Sequence, residues 1–280
     1  MKIICNQLSV YRDKKLILDR IDCKIQSGQF IAIIGANGSG KSTLLESIGG
    51  FLPYQKGSIL FDHIEISQWK PKDLARHRAI LRQKSDLNLS FTVEEIVLMG
   101  RTPHINKHET RSDLNIVYQA LHLVGLAGFE HRLYTQLSGG EQQRVHLARV
   151  LAQVWIPNVL HSSSKSVSQD LEQTKSTLQN KAVLLLDEPT ASLDMKATHQ
   201  VLNCASRFAQ AGGTVICILH DMNLVTQYAN QVMVLREGKI IAFGPPRKIL
   251  TNDTMEHAFD VNAVVLHDTH LKYPVIVTHS

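Results

Sequence analysis

An apolar pentapeptide that runs into a glycine-rich turn, FIAIIGANGSGKST from Phe30 to Thr43, constrains the fold more than any other stretch. A strand that is apolar on both faces belongs in the middle of a parallel sheet covered by helices. Residues 35–42, which we call the phosphate loop, match the pattern GxxxxGK[ST], in which backbone N–H groups surround phosphate oxygens. The helix expected over residues 42–48 directs its N-terminus at the same anion. This stretch therefore predicts an α/β fold and a site for a nucleoside triphosphate.

The polar residues of the phosphate loop have separate expected roles. Lys41 supplies a cation to the β- and γ-phosphates, and the Ser42 hydroxyl is a ligand for Mg²⁺. The predicted nucleotide-binding residues of this stretch are Gly35, Asn37, Gly38, Ser39, Gly40, Lys41, Ser42 and Thr43.

The rest of the chain alternates strand and helix patterns, which predicts a mostly parallel sheet with helices on both faces. Aromatic residues make up only 6% of the 280 residues, so aliphatic side chains must fill the core. Helical patterns dominate residues 69–126, and a strong amphipathic helix is expected over residues 139–154. The remaining expected strands cover 2–10, 16–25, 29–34, 182–186, 214–219, 231–235 and 239–243, and the remaining helices cover 195–210 and 221–229.

The second half of the predicted site is the sequence VLLLDE at residues 183–188. A buried strand places Asp187 at its carboxyl end, where open α/β sheets bind their ligands. Asp187 is expected to hold Mg²⁺, and Glu188 to polarise the attacking water as a general base. An apolar strand that ends in two acids is a weak signal alone, but coupled to the phosphate loop it favours hydrolysis of the nucleotide.

Ser138, Gly139 and Gly140 open the amphipathic helix within the sequence LSGGE. A serine followed by two glycines at a helix start presents a hydroxyl and free backbone donors to an anion. One mononucleotide site does not need a second phosphate-binding element, so this one is expected to serve a nucleotide held by another subunit. A plain capping box between Ser138 and Glu141 is the alternative, and the two interpretations are compatible.

With these motifs in this order, the chain resembles the nucleotide-binding subunits of ABC transporters over residues 1–243. LSGGE resembles the family signature LSGGQ. The resemblance implies a P-loop NTPase core, an N-terminal antiparallel β subdomain, a helical subdomain at about residues 84–155 and a C-terminal accessory segment at 244–280. It also implies roles for Tyr11 in stacking on adenine, Gln83 in contacting Mg²⁺ and the γ-phosphate, Asp194 in communication across a dimer, and His220 in contacting the γ-phosphate. Catalysis is thus expected from Glu188, His220 and Gln83, and metal binding from Ser42, Gln83 and Asp187.

The resemblance further implies the partners and the location. Two copies would close head to tail on ATP and Mg²⁺, and two membrane-spanning permease subunits would couple the pair to a periplasmic substrate-binding protein. Because apolar runs are too short for a membrane span and no secretory signal is apparent, we expect a peripheral protein on the cytoplasmic face of the inner membrane. A net charge of +5 without a Lys/Arg run argues against a nucleic-acid partner.

The segment HDMNLVTQYANQVMVLREGKIIAFGPP at residues 220–246 resembles importers of iron complexes, heme and cobalamin, and the C-terminal sequence most resembles hemin-import subunits. A ferric-siderophore or cobalamin importer is the alternative within this class. A soluble ABC ATPase of DNA repair or translation is a further alternative, but such proteins typically fuse two ATPase units or insert long coiled coils. A P-loop kinase or GTPase does not account for LSGGE.

Residues 158–180 form a polar insertion between the signature helix and the strand that ends at Asp187. The gap is far longer than the usual connection of about 4–6 residues, and we interpret it as a tolerated surface loop. Shortening this insertion is therefore expected to cost little ATPase activity. The measurement is ATP binding and hydrolysis by the shortened protein, and loss of nucleotide binding would contradict the interpretation.

The sequence leaves alternatives open for the C-terminal stretch and for the cysteines. The stretch after residue 244 forms either a small accessory lobe packed on the core or a regulatory contact. The four cysteines lie far apart without a CxxC pair, which favours ordinary buried thiols over a metal site.

Overall fold

A computed structural model describes residues 1–82, 90–155, 182–191, 193–266 and 273–279. Gln83 and the insertion at 158–180 lie outside these residues. The strands are β1 (Ile3–Arg12), β2 (Lys15–Ile25), β3 (Phe30–Ile34), β4 (Lys56–Phe61), β5 (Ile64–Glu65), β6 (Arg78–Leu81), β7 (Val183–Asp187), β8 (Thr214–Ile218), β9 (Gln231–Arg236), β10 (Lys239–Gly244), β11 (Asn262–Leu266) and β12 (Val275–His279). The helices are α1 (Lys41–Ile48), α2 (Pro71–His77), α3 (Val93–Met99), α4 (Arg111–Leu123), α5 (Gly139–Gln153), α6 (Met195–Gln210), α7 (Met222–Tyr228), α8 (Pro246–Ile249) and α9 (Asn252–Phe259).

A six-stranded sheet in the order β10-β9-β3-β8-β7-β6 forms the centre of the fold. All of its pairs are parallel except β10 with β9. Every residue of β3 is buried, which confirms the prediction of a central strand. Phe30, Ala32 and Ile34 belong to the core on one face of the sheet, and Ile31 and Ile33 belong to the core on the other face. Helices and a second sheet therefore cover both sides, as the alternating pattern predicted.

The second sheet has the order β2-β1-β4-β5 and is antiparallel throughout. Its inner face packs with α1 and with one face of the central sheet in a core made mostly of aliphatic side chains. The antiparallel N-terminal sheet that the family resemblance implied is thus present.

Helices dominate the described part of residues 69–126, as the sequence predicted, but this stretch also holds one strand that the sequence did not predict. The strand β6 lies within this stretch and pairs in parallel with β7 at the edge of the central sheet. β6 has only four residues, RAIL, and such a run is too short to show a strand period. Its identity depends on β7, which supplies its hydrogen-bonding partners.

The helices α3, α4 and α5 pack on one another beside the central sheet. Between them lies a buried ion pair, in which Arg101 Nε is 3.0 Å from Asp113 Oδ1. Arg101 Nη1 also donates to the carbonyl of Ala152 at 2.7 Å, and the other oxygen of Asp113 accepts from the backbone N–H and the hydroxyl of Thr110. The pair therefore joins the start of α4 to the end of α5.

The C-terminal segment packs on the core. Met255, Ala258, Ala263 and Ile276 are buried in the same hydrophobic cluster as the helices α3 to α5. The described part of the segment thus forms a lobe on the central sheet. No helix in the described part of the chain is long and apolar enough to cross a membrane.

Candidate functional site

The phosphate loop connects β3 to α1, and its glycines are required by its shape. Gly35 has a φ of +149°, and a Cβ atom there would lie 2.2 Å from the carbonyl oxygen of Leu235. Gly40 has a φ of +102°, and its Cβ atom would lie 2.8 Å from the Leu18 side chain. Residues with side chains could not adopt this path without moving β9 or β2.

The Lys41 side chain folds back over the phosphate loop. Its Nζ donates to the carbonyls of Gly35 and Ala36, each at 2.9 Å, and the residue is only 7% exposed. Burial lowers the pKa of Lys41 from its usual value, while the nearby charges of Glu188 and Asp187 act in the opposite direction. The ammonium group is thus held at the phosphate loop and faces the acids at the end of β7.

A contact between Ser42 and Asp187 joins the two halves of the predicted site. The Ser42 hydroxyl donates to Asp187 Oδ1 at 3.2 Å, although the two residues are 145 positions apart. Burial raises the pKa of Asp187, and Glu188 and Glu46 add to the rise, while the hydrogen bond from Ser42 opposes it. A hydroxyl and a carboxylate oxygen are the ligands that Mg²⁺ takes from proteins when phosphates complete its shell.

Glu188 and His220 meet at the carboxyl ends of the adjacent strands β7 and β8. Glu188 Oε1 lies 2.6 Å from His220 Nε2. Glu188 has a φ of +49°, a left-handed conformation that costs a residue with a side chain about 1–3 kcal/mol and is concentrated at functional sites. Both residues line a cavity of about 430 Å³ that also borders Thr190, His199 and Leu224. A carboxylate and an imidazole therefore lie side by side next to a cavity.

The other predicted nucleotide-binding residues lie on several different elements. Tyr11 is opposite Leu16 in the pairing of β1 with β2, and its side chain is partly exposed. Asp194 caps α6, where its Oδ1 accepts from the backbone N–H of Ala197 at 2.7 Å. Asn37, Gly38, Ser39 and Thr43 all lie in or beside the phosphate loop.

Ser138 and Gly139 lie on the exposed surface at the start of α5. The Ser138 hydroxyl accepts from the Glu141 N–H, and the Glu141 side chain accepts from the Ser138 N–H at 2.8 Å. The capping box that the sequence left as an alternative is therefore present. Gly140 faces Leu193, which follows the strand that carries Asp187.

The turn between β9 and β10 is a part of the site that no sequence motif indicated. The Gly238 N–H donates to the carbonyl of Ser39 at 3.0 Å, so the turn supports the phosphate loop from outside. At the end of α9, Asp260 Oδ1 lies 3.5 Å from Arg236 Nη2. Asp260 also borders a pocket that the phosphate loop lines. No local motif predicts these contacts, because they depend on how β9 and α9 pack beside β3.

The fold and the site define a class, the ATP-binding cassette ATPases. The fold is similar to a chain of a metal-chelate type ABC transporter in an inward-facing conformation, with a TM-score of 0.77, 25% identity and coverage of 99% of this chain and 97% of that one. It is also similar to the ADP conformation of the ATP-binding cassette MJ1267, with a TM-score of 0.74, 22% identity and coverage of 93% and 99%.

Sequence comparisons identify the family. The family described as ABC transporter matches residues 18–160. The hemin import ATP-binding protein HmuV of Myxococcus xanthus is 38% identical over 266 residues, which cover 95% of this chain and 92% of that protein. The protein of the same name from Rhodopseudomonas palustris is 40% identical over 252 residues, or 90% of this chain and 88% of that protein. The chain belongs to the ABC transporter family, and it is an ATP-binding and ATP-hydrolysing subunit of an ABC importer.

Proposed function

We propose that this subunit couples ATP hydrolysis to the import of hemin across the inner membrane. The assignment of hemin as the substrate is supported by the similarity to relatives named hemin import ATP-binding proteins. This similarity extends over nearly the whole chain. Residues 1–243 would form the ATPase, with a helical subdomain at about 84–155, and residues 244–280 would form the accessory segment.

Nucleotide binding would use the phosphate loop for the phosphates and Tyr11 for the adenine. Ser42 and Asp187 would hold Mg²⁺ together with Gln83, and the ion would neutralise charge on the β- and γ-phosphates. The 3.2 Å contact between Ser42 and Asp187 supports this assignment, because it brings the two oxygen donors together. The cation of Lys41 would add to the same neutralisation.

Glu188 would orient and deprotonate the water that attacks the γ-phosphate. His220, 2.6 Å from the Glu188 carboxylate, would fix the carboxylate and contact the γ-phosphate. Positioning and electrostatics supply most of the catalysis in phosphoryl transfer, so no covalent intermediate is required.

The active unit would be a head-to-tail pair. Ser138, Gly139 and Gly140 of one copy would cover the ATP held by the phosphate loop of the other, and Asp194 would lie at the contact between the copies. The exposure of Ser138 and Gly139 supports this role. Closure would exclude water and then relax after hydrolysis, which gives two permease subunits their mechanical input. The pair would sit on the cytoplasmic face of the membrane, and a periplasmic binding protein would deliver the substrate.

A ferric-siderophore or cobalamin importer is the second candidate. The structural similarity to a metal-chelate type ABC transporter favours this wider class, since hemin is one metal chelate among several.

The test is ATP hydrolysis by this subunit co-purified with its membrane-spanning partner, with and without a loaded binding protein. We expect stimulation by the heme-loaded binding protein and none by a binding protein loaded with a ferric siderophore. A hydrolysis rate that does not change with the heme-loaded binding protein would still support the ATPase activity, but it would reject hemin as the substrate.

A further inference from the structure

Asn223 connects the helix that follows His220 to the C-terminal hairpin of β11 and β12. Its Oδ1 accepts from the backbone N–H of Ile276 at 2.8 Å, and its Nδ2 donates to the carbonyl of Ile276 at 3.3 Å. One side-chain amide thus pairs with both backbone groups of one residue, 53 positions further along the chain. The amide of Asn223 thus makes the same two hydrogen bonds to Ile276 that the backbone of a neighbouring strand would make.

The link from Asn223 back to His220 is short, because only Asp221 and Met222 lie between them. Asp221 caps α7, and its Oδ1 accepts from the backbone N–H groups of Asn223 at 2.8 Å and Leu224 at 3.2 Å. His220 therefore lies between the end of β8 and a capped helix start. A shift of the first turn of α7 would move the His220 backbone, because only Asp221, the cap residue itself, lies between His220 and the helix.

The two strands of the hairpin are paired with each other and packed against the core. β11 and β12 pair at five positions, from Asn262 with His279 to Leu266 with Val275. Ile276 is 5% exposed and Ala263 is 4% exposed, and both pack in the main hydrophobic core. The amide of Asn223 thus ties the start of α7 to a packed part of the molecule.

The His220 side chain needs such support from its backbone. Its exposed fraction is 48%, so packing does not restrain the ring on all sides, yet it meets Glu188 at 2.6 Å. A displacement of a reacting group by about 1 Å can cost as much as 100-fold in rate. The position of the imidazole therefore depends strongly on where α7 begins.

We propose that Asn223 is a positioning residue for ATP hydrolysis, and that the C-terminal hairpin acts through it to hold His220 against Glu188. The proposal rests on the role of His220 in the proposed function. It assigns the C-terminal segment a purpose beyond packing, namely to set the geometry of the hydrolytic pair. ATP binding is not expected to depend on Asn223, since the phosphate loop belongs to other elements.

The experiment compares Asn223→Ala with Gln227→Ala in the full-length chain. Gln227 is exposed on the same helix, so its replacement controls for a change in helix composition. We expect Asn223→Ala to lower kcat about fivefold to tenfold, with KM for ATP within about twofold of the parent, because two hydrogen bonds that orient α7 are lost. The control should leave both constants unchanged, and thermal melting should show that each variant is folded.

A double-mutant cycle with His220→Ala separates positioning from a general structural effect. Single-turnover hydrolysis with protein in excess gives rates for all four proteins. If Asn223 acts through His220, Asn223→Ala has no further effect once His220 is removed. The same fold-loss in both backgrounds, or a parental kcat for Asn223→Ala, would overturn the proposal. A parental rate for His220→Ala would instead reject the proposed role of His220, so the two failures are distinguishable.

Discussion

Replacement of Glu188 by glutamine should leave ATP binding intact and reduce ATP turnover at least about 100-fold, the usual contribution of a positioned general base. The amide has nearly the same shape as the carboxylate and still offers an oxygen to His220, so the 2.6 Å contact can persist. It cannot accept the proton of the attacking water. Because ATP then stays bound and closure is not reversed by hydrolysis, the variant should also accumulate as a dimer.

Phosphate release gives the turnover, equilibrium binding of a fluorescent ATP analogue gives the affinity, and size-exclusion chromatography with light scattering gives the oligomeric state. Glu256→Gln is the matched control, since Glu256 is an exposed acid on α9. It should behave as the parent in all three measurements. Normal hydrolysis by Glu188→Gln would remove Glu188 from the role of base, and a loss of ATP binding would show that it serves the nucleotide directly.

Replacement of Asp113 by alanine should lower the free energy of unfolding by roughly 3–5 kcal/mol, the usual cost of removing one partner of a buried ion pair. Arg101 and Asp113 are 7% and 6% exposed, so the guanidinium group would lose its counter-ion where water cannot replace it. The same change removes the carboxylate that accepts from Thr110 at the start of α4. Denaturant unfolding of the nucleotide-free chain measures the difference.

Two control variants divide this effect into its parts. Thr110→Ala removes the capping hydroxyl of α4 but retains the pair of Arg101 with Asp113, and it should cost about 1 kcal/mol. Asp73→Ala breaks the partly exposed pair with Arg76, at 3.4 Å, and should cost no more than about 1 kcal/mol. Equal losses for Asp113→Ala and Asp73→Ala would show that burial does not strengthen the first pair.

The Asp113 pair should also make stability depend on pH in the acid range. Burial would raise the pKa of Asp113, but hydrogen bonds from Thr110 and Arg101 outweigh it and hold the pKa below its usual value. The folded state therefore binds the proton less readily than the unfolded chain does. The stabilisation that ionised Asp113 contributes is complete above its pKa in the unfolded chain, which is about 3.9. It is lost as the pH falls through the lower pKa of Asp113 in the folded protein. In Asp113→Ala this part of the acid dependence should be absent.

Local patterns in the sequence determined most of the parts of this protein. The phosphate loop was predicted because its glycines, Lys41 and Ser42 form a pattern contained within residues 35–42. The central strand β3 was predicted because five apolar residues in a row require burial on both faces. The start of α5 followed from Ser138 and Glu141, whose capping box spans a single turn. The roles of Tyr11, Gln83, Asp194 and His220 came from family resemblance alone and remain predictions.

Only the tertiary structure decided how these parts meet. Glu188 reaches His220 because the neighbouring strands β7 and β8 end at the same edge of the sheet, and Ser42, after β3, reaches Asp187 across the end of β8 at that edge. Short elements such as β6 carry too few residues to show a period, and long-range pairs such as Asn223 with Ile276 have no local signature. The physical reason is common to all of them. A contact between distant residues depends on the packing of whole elements, whereas a motif encodes only the contacts within its own turn.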